Sequence, residues 1–96
     1  MTRYRLSRRA KADLDEIWDY SLNRWGDQQA AAYHRQIYMA IGMIAERPDL
    51  GWPDSNLRPG YRRRSAGSHV IFYRVSGMVE IVRILHQNMD AKFHLG

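Results

Sequence analysis

Apolar residues recur every third or fourth position as far as residue 47 and every second position after residue 61. That change of period constrains the fold of this chain more than any other feature. A period near 3.6 specifies a helix with a buried stripe, and a period of two specifies a strand. Ala10, Leu14, Ile17 and Ser21 are spaced by four, three and four, the stripe of an amphipathic helix. Trp18, Leu22 and Trp25 add a second stripe beside it, giving this helix more apolar surface than one contact needs. Ser7 is placed to cap its start through its hydroxyl, Gly26 to end it in a left-handed conformation, and Asp27 to cap the next helix. Over residues 28–47, Ala30, Tyr33, Ile37, Ile41 and Ile44 form the core stripe of an antiparallel helical hairpin, which Pro48 stops.

The strands read as follows. Tyr4 and Leu6 alternate with Arg3 and Arg5 in a short first strand. Residues 61–65, 68–75 and 79–86 alternate as three more, joined by short Gly-bearing turns that predict successive hairpins. Residues 48–60 hold all three prolines and read as a loop anchored by Leu50 and Trp52. In the tail, Asn88 or Asp90 can cap a last helical turn carrying Phe93 and Leu95. The expected fold is α+β in the order β-α-α-β-β-β, an antiparallel sheet packed against a helical hairpin with a short C-terminal helix, in a single domain spanning residues 1–96.

Composition removes several classes of function. With no cysteine, a disulfide scaffold, an iron–sulfur site, a thiolate zinc site and a cysteine nucleophile are all excluded. No run of about 18 apolar residues is present, and no apolar segment follows the basic start, so a soluble cytoplasmic protein without a membrane span is expected. The net charge of +5 is uneven: residues 1–11 carry +5, residues 12–50 carry −4 and residues 51–96 carry +4. Thirteen of the fifteen cations are Arg, whose fork suits carboxylates and phosphates, so the basic ends point either to an acidic or phosphate-bearing partner or to a solvated surface.

Motifs for chemistry are sparse. There is no Gly-rich phosphate loop, His-Glu-x-x-His, Gly-x-Ser-x-Gly or dinucleotide fingerprint. His86, Asp90 and His94 have ligand chemistry but span a strand and a helical turn, so hydrogen bonding is the simpler account and no metal is expected. Asp13, Asp15, Glu16 and Asp19 read as a solvated helix face, and Glu80 as the cross-strand partner of an Arg. Arg62, Arg63 and Arg64 on one strand suit nucleic acid, an acidic partner peptide or a charge-guarded edge. Arg83, between Val82 and Ile84 in what reads as an interior strand, is either a structural knot or a recognition group in a cleft.

Three stretches carry a resemblance. Tyr4-x-Leu6-Ser7-x-x-Ala10-x-x-Asp13-Leu14-x-x-Ile17, Gly67-x-His69-x-Ile71-x-Tyr73 and Ile81-Val82-Arg83-Ile84-Leu85-His86-x-x-Met89-Asp90 resemble the ParE-type toxins of the RelE/ParE superfamily. The resemblance covers essentially the whole chain. It implies the toxin of a bacterial type II toxin–antitoxin pair, neutralised by a ParD-like antitoxin whose own domain binds operator DNA. No sequence-specific DNA binding is then expected of the toxin chain itself. ParE relatives poison DNA gyrase, whereas RelE-type relatives cut mRNA on the ribosome. Where RelE-like nucleases carry an Arg, a basic residue and a Tyr, this chain has His69, Asn88 and His94, so two fixed charges and the Tyr are missing. Gyrase inhibition is therefore the expected activity, with no catalytic residue and no cofactor. A ribosome-dependent endoribonuclease is the alternative, and an adaptor that has lost toxicity is a third reading.

Site residues follow from that expectation. Trp18, Leu22, Trp25 and Tyr38 are expected to form an apolar groove that takes an amphipathic acidic helix of the antitoxin, with Arg62 and Arg64 meeting its carboxylates. His69, Arg83, His86, Met89, Lys92 and Phe93 are the expected target contacts, because the tail offers mixed apolar and basic groups.

Overall fold

The computed structural model of the chain describes residues 4–54 and 57–95. Arg3, assigned above to the first strand, lies outside the described residues. The elements run β1 (Tyr4–Leu6), α1 (Arg8–Trp25), α2 (Asp27–Glu46), a 3-10 turn (Pro48–Leu50), β2 (Trp52–Pro53), β3 (Tyr61–Ala66), β4 (His69–Ser76), β5 (Met78–His86) and α3 (Ala91–Leu95). This is the expected α+β order, with one addition and one refinement. The addition is β2, a two-residue edge strand inside the segment read as a loop. The refinement is that β1 pairs with β5 in parallel, so the sheet is mixed, in the order β1-β5-β4-β3-β2.

Ser7 caps α1 as its position predicts, with Oγ accepting from the Ala10 amide at 2.9 Å. Gly26 separates the helices at φ 89°, a backbone conformation that L side chains rarely adopt. Asp27 falls within the first turn of α2 rather than at its cap, and no side chain caps that helix.

The sheet carries a core on each face. On the helix face Ala10, Leu14 and Ile17 from α1 and Ile37, Ile41 and Ile44 from α2 pack on Ala66, Ile71, Tyr73, Val79, Ile81 and Ile84. On the other face Tyr61, Val70, Phe72 and Leu85 are covered by Leu95 of α3, with Leu57, Val82 and Ala91 at the margin. A second core explains why β4 and β5 are apolar on both sides. Trp52 is no anchor: it is 77% exposed. The segment is held instead by Tyr73, whose hydroxyl accepts from the Gly51 amide at 2.8 Å and donates to the Pro48 carbonyl at 2.6 Å. The Tyr73 ring lies so close to Gly51 that an added Cβ would sit 2.3–2.8 Å from its atoms, so this position must be glycine.

A bulge in β5 sets up the site. Phe72 pairs with Arg83 but Tyr73 pairs with Ile81, which leaves Val82 without a partner in the ladder. On the other side, β1 accompanies β5 only from Val79 to Ile81. Beyond that point the edge of β5 is taken over by Ser7 and α1. The Ser7 hydroxyl donates to the Val82 carbonyl at 2.7 Å, and the Ile84 amide donates to Asp13 at 2.9 Å.

Candidate functional site

Where β5 outruns β1, a cleft of about 500 Å3 opens between α1, the start of α2, the β3–β4 turn and the end of β5. Ile17, Tyr20 and Trp25 of α1 form one wall, and Tyr33 of α2 the next. His69, Ile84, Leu85 and His86 form the floor, with Met89 and Glu16 at the mouth. The aromatic wall is tied together edge to face: Trp25 lies 6.2 Å from Tyr20 and 6.3 Å from Tyr33, centroid to centroid. Trp25 is half exposed and Tyr20 more so, so the cleft presents aromatic surface to solvent.

The polar floor is built by the β3–β4 turn. Gly67 adopts φ +60°, and a Cβ there would come within 2.6 Å of the Tyr33 ring, so glycine lets the turn lie directly on Tyr33. The Tyr33 hydroxyl then accepts from the Ser68 amide at 3.0 Å and shares a proton with His69 Nδ1 at 2.5 Å. Beside the Ser68 contact the hydroxyl keeps its hydrogen and a second lone pair, so it pairs with either neutral tautomer of His69: donating to a bare Nδ1, or accepting from Nδ1–H. His69 stands across the β4–β5 pair from His86, rings 5.4 Å apart. Burial, and then the neighbouring His86, push the His69 pKa below the usual histidine value, against a weaker upward pull from Asp13. The neutral state and the hydrogen bond agree.

Arg83 lines the cleft but is committed. Its Nε and Nη2 donate to the two oxygens of Asp13, each at 2.9 Å, and its Nη1 reaches the His94 carbonyl at 3.4 Å. Both side chains of the pair are nearly buried. Of the two readings open for Arg83, the geometry takes the structural knot. It corrects the reading of Asp13 as a solvated acid: Asp13 is buried and accepts three hydrogen bonds. The signal was in the spacing, since position 13 lies three after Ala10 and four before Ile17, inside the buried stripe. Glu80 pairs across the strands with Arg74 at 2.7 Å and with Arg5 at 2.9 Å, as expected of it.

The remaining candidates are dispersed. The groove expected from Trp18, Leu22, Trp25 and Tyr38 is not one surface. Trp18 packs edge to face on His34 at 5.4 Å, and His34 on Tyr38 at 5.2 Å, forming a stack along the α1–α2 seam. Trp18 and Leu22 are half-buried there, whereas Trp25 belongs to the cleft with Tyr20 and Tyr33. The two tryptophans are seven residues apart, almost two turns, and diverge because Trp25 sits at the end of α1 beside the returning α2. Arg62 and Arg64 do not rim that stack. They donate to the carbonyls of Gly51 at 2.7 Å and Leu50 at 3.3 Å, fastening the turn before β2, while Arg63 pairs with Asp54 at 3.2 Å. On α3, Lys92 is exposed and Phe93 is 82% exposed, whereas Leu95 is in the second core. Asp90 caps that helix by accepting from the Lys92 amide at 3.0 Å. Among the described residues no three His, Asp or Glu side chains converge as metal ligands, and no helix is long and apolar enough to cross a membrane. Tyr20, Tyr33 and Glu16 were not singled out from sequence as site residues; only the turn glycine at 67 marks the close packing on Tyr33.

Comparison with known proteins bears directly on this arrangement. Residues 4–91 match the family model of the ParE toxin of type II toxin-antitoxin system, parDE. The chain is 64% identical over 96 residues, the whole of both chains, to Toxin ParE1 of Caulobacter vibrioides. It is 48% identical to Toxin ParE1 of Mycobacterium tuberculosis, covering 98% of each, and 32% identical to Toxin ParE of Escherichia coli over 94% of this chain and 89% of that one. A solved structure described as the chromosomal ParDE TA system from P. aeruginosa superposes with a TM-score of 0.77 at 25% identity, covering 90% of this chain and 96% of that one. The chain thus belongs to the ParE toxin family of type II toxin–antitoxin systems.

Proposed function

We propose that this chain inhibits DNA gyrase by binding it, without chemistry of its own, and that a ParD-type antitoxin neutralises it. The observation that carries the first part is the fate of the positions where RelE-like nucleases hold their reactive groups. His69 is tied to Tyr33 on the floor of the aromatic cleft, while His94 lines a different groove beside Arg8 and Arg9. The two histidines are not brought to one reacting atom, and Arg83, the one guanidinium among the described residues that line the cleft, is consumed by Asp13. General acid–base cleavage of RNA needs its groups within hydrogen-bond reach of the same phosphate and hydroxyl. An aromatic cleft whose floor holds His69, its pKa lowered by burial, is better suited to receiving an apolar or aromatic side chain of a protein partner. On this reading His69, His86 and Met89 in the cleft, with the exposed Lys92 and Phe93 of α3, are the target surface. The Trp18–His34–Tyr38 stack and Trp25 are where the antitoxin docks.

Antitoxin pairing is supported by the ParDE neighbour, whose description names both partners. The test of the target is direct. The chain, immobilised through an added C-terminal tag, should bind purified gyrase holoenzyme saturably and leave 70S ribosomes unbound. Binding to ribosomes alone points to the endoribonuclease alternative.

A further inference from the structure

One carboxylate of the aromatic cleft has no counter-charge. Asp13 and Arg83 both line the cleft and cancel in their nearly buried pair. Glu16 lines it too, is exposed, and makes no hydrogen bond or ion pair among the described residues. It reaches Arg83 only as the weakest pull on a guanidinium already spent on Asp13. Asp15 and Asp19, also exposed on α1, do not line the cleft. Glu16 stands four residues before Tyr20, on the same helix face, and Tyr20, Trp25 and Tyr33 follow edge to face around the wall. An unanswered carboxylate and three aromatic rings thus share one opening, and ring faces are themselves negative. This wall already holds one cation: the Arg24 guanidinium lies over the Tyr20 ring, 6.0 Å from its centre, without lining the cleft.

We infer that the side chain this cleft receives is an arginine of the partner protein, its aliphatic stem against the rings and its guanidinium at Glu16. The inference rests on the reading of the cleft as a partner-facing surface and names what the partner presents there: an anchor apolar along its stem and charged at its end. A partner covering the mouth takes Glu16 out of water. Beneath a wholly apolar anchor that carboxylate would lose its hydration and gain no partner, whereas a cation compensates it. An anionic anchor is opposed by the same carboxylate and by the ring faces. Lysine would meet the charge, but a planar guanidinium also stacks on aromatic rings and forks onto a carboxylate. The mostly apolar lining suits the stem, since long basic side chains bury their methylenes while the charged head stays in a polar setting.

The test is a titration of the isotopically labelled full chain with N-acetyl-arginine methylamide, followed by amide and indole chemical shifts at about pH 8, above the ordinary histidine range. The citrulline and leucine amides, at matched ionic strength, are the isosteric neutral control and the apolar control. The arginine probe should saturate with shifts centred on Glu16, Tyr20, Trp25 and Tyr33. It should bind about fivefold more tightly than either control. Glu16→Gln should bring it to the citrulline level and leave the leucine amide unaffected. Asp19→Asn, which removes the same charge from the same helix outside the cleft, should change neither. A leucine amide that binds as well as the arginine probe would overturn the inference. So would equal losses in Glu16→Gln and Asp19→Asn, shifts centred elsewhere, or no saturable shift in the parent chain. The gyrase reading fails separately: a probe held in the cleft of a chain that does not bind gyrase would refute gyrase as target and leave the arginine anchor standing. Gyrase binding that Glu16→Gln leaves at parent strength would refute the arginine anchor alone.

Discussion

Replacing Asp13 with Ala perturbs the junction on which both the fold and the cleft depend. Asp13 accepts from Arg83 Nε, from Arg83 Nη2 and from the Ile84 amide, all at 2.9 Å. The side chains of the pair are only 13% and 10% exposed, so solvent screens the interaction little. Removing one partner of a buried ion pair costs about 3–5 kcal/mol, because the other charge is left without compensation. A backbone amide at the edge of β5 loses its acceptor in the same step. Against a total stability of roughly 5–15 kcal/mol for a domain, that is a large fraction. At about 4 kcal/mol, and roughly 4–8 °C per kcal/mol for a domain of this size, Tm should fall by roughly 16–32 °C. Urea unfolding of the antitoxin-free chain measures it. Asp13→Leu combined with Arg83→Met should recover much of the loss, since a packed apolar pair of similar volume often matches a buried ion pair. A cost below about 1 kcal/mol for Asp13→Ala, or a double substitution no better than the single, would refute the knot as the fold's junction.

Other consequences are smaller and separable. Tyr73→Phe removes the hydroxyl that accepts from Gly51 and donates to Pro48, so it should cost about 1–3 kcal/mol in urea unfolding. Because the folded state lowers the His69 pKa, the unfolded chain takes up that proton first, and stability is lost as pH falls. The loss begins near the ordinary histidine value of about 6.5 and runs down through the lowered one. Urea midpoints at pH 7.5 and 5.5 should therefore differ more in the parent than in His69→Gln. Trp25→Ala should weaken antitoxin binding at least roughly tenfold, about 1.4 kcal/mol, in calorimetric titration with little change in Tm. Trp18→Ala should weaken it comparably but also lower Tm, since Trp18 is half-buried against His34. Unchanged affinity in both variants would remove the aromatic surfaces from the interface.

Much of the architecture was legible because period and punctuation agree in this chain. Ser7, Gly26 and Pro48 mark helix ends, and the short Gly-bearing turns fix the hairpins. The parallel β1–β5 pair was not legible, since period two reports a strand and not the direction of its neighbour. Nor was β2, because two residues are too few for a period and Pro53 argues against a strand except at an edge, which is where it lies. The site was less legible than the fold. Asp13 sits on the buried stripe, but only the bulge at Val82 and the early end of β1 explain why an acid is needed there. Trp18 and Trp25 share a sequence stripe yet face different neighbours, which are set by the packing of α2. Arg62 and Arg64 looked free because their acceptors are carbonyls of the preceding turn, and carbonyls leave no trace in side-chain pattern.

The central claim is that the chain acts on gyrase by binding and not on RNA by cleavage. The most direct measurement adds one preparation of the full chain to two reactions. In the first, supercoiled plasmid is incubated with gyrase and ATP, then treated with detergent and protease. In the second, an mRNA under translation is mapped by primer extension. The account predicts linear plasmid that appears only when both gyrase and the chain are present, with no new ends in the translated mRNA. New mRNA ends at the ribosomal A site, with the plasmid left intact, would contradict it.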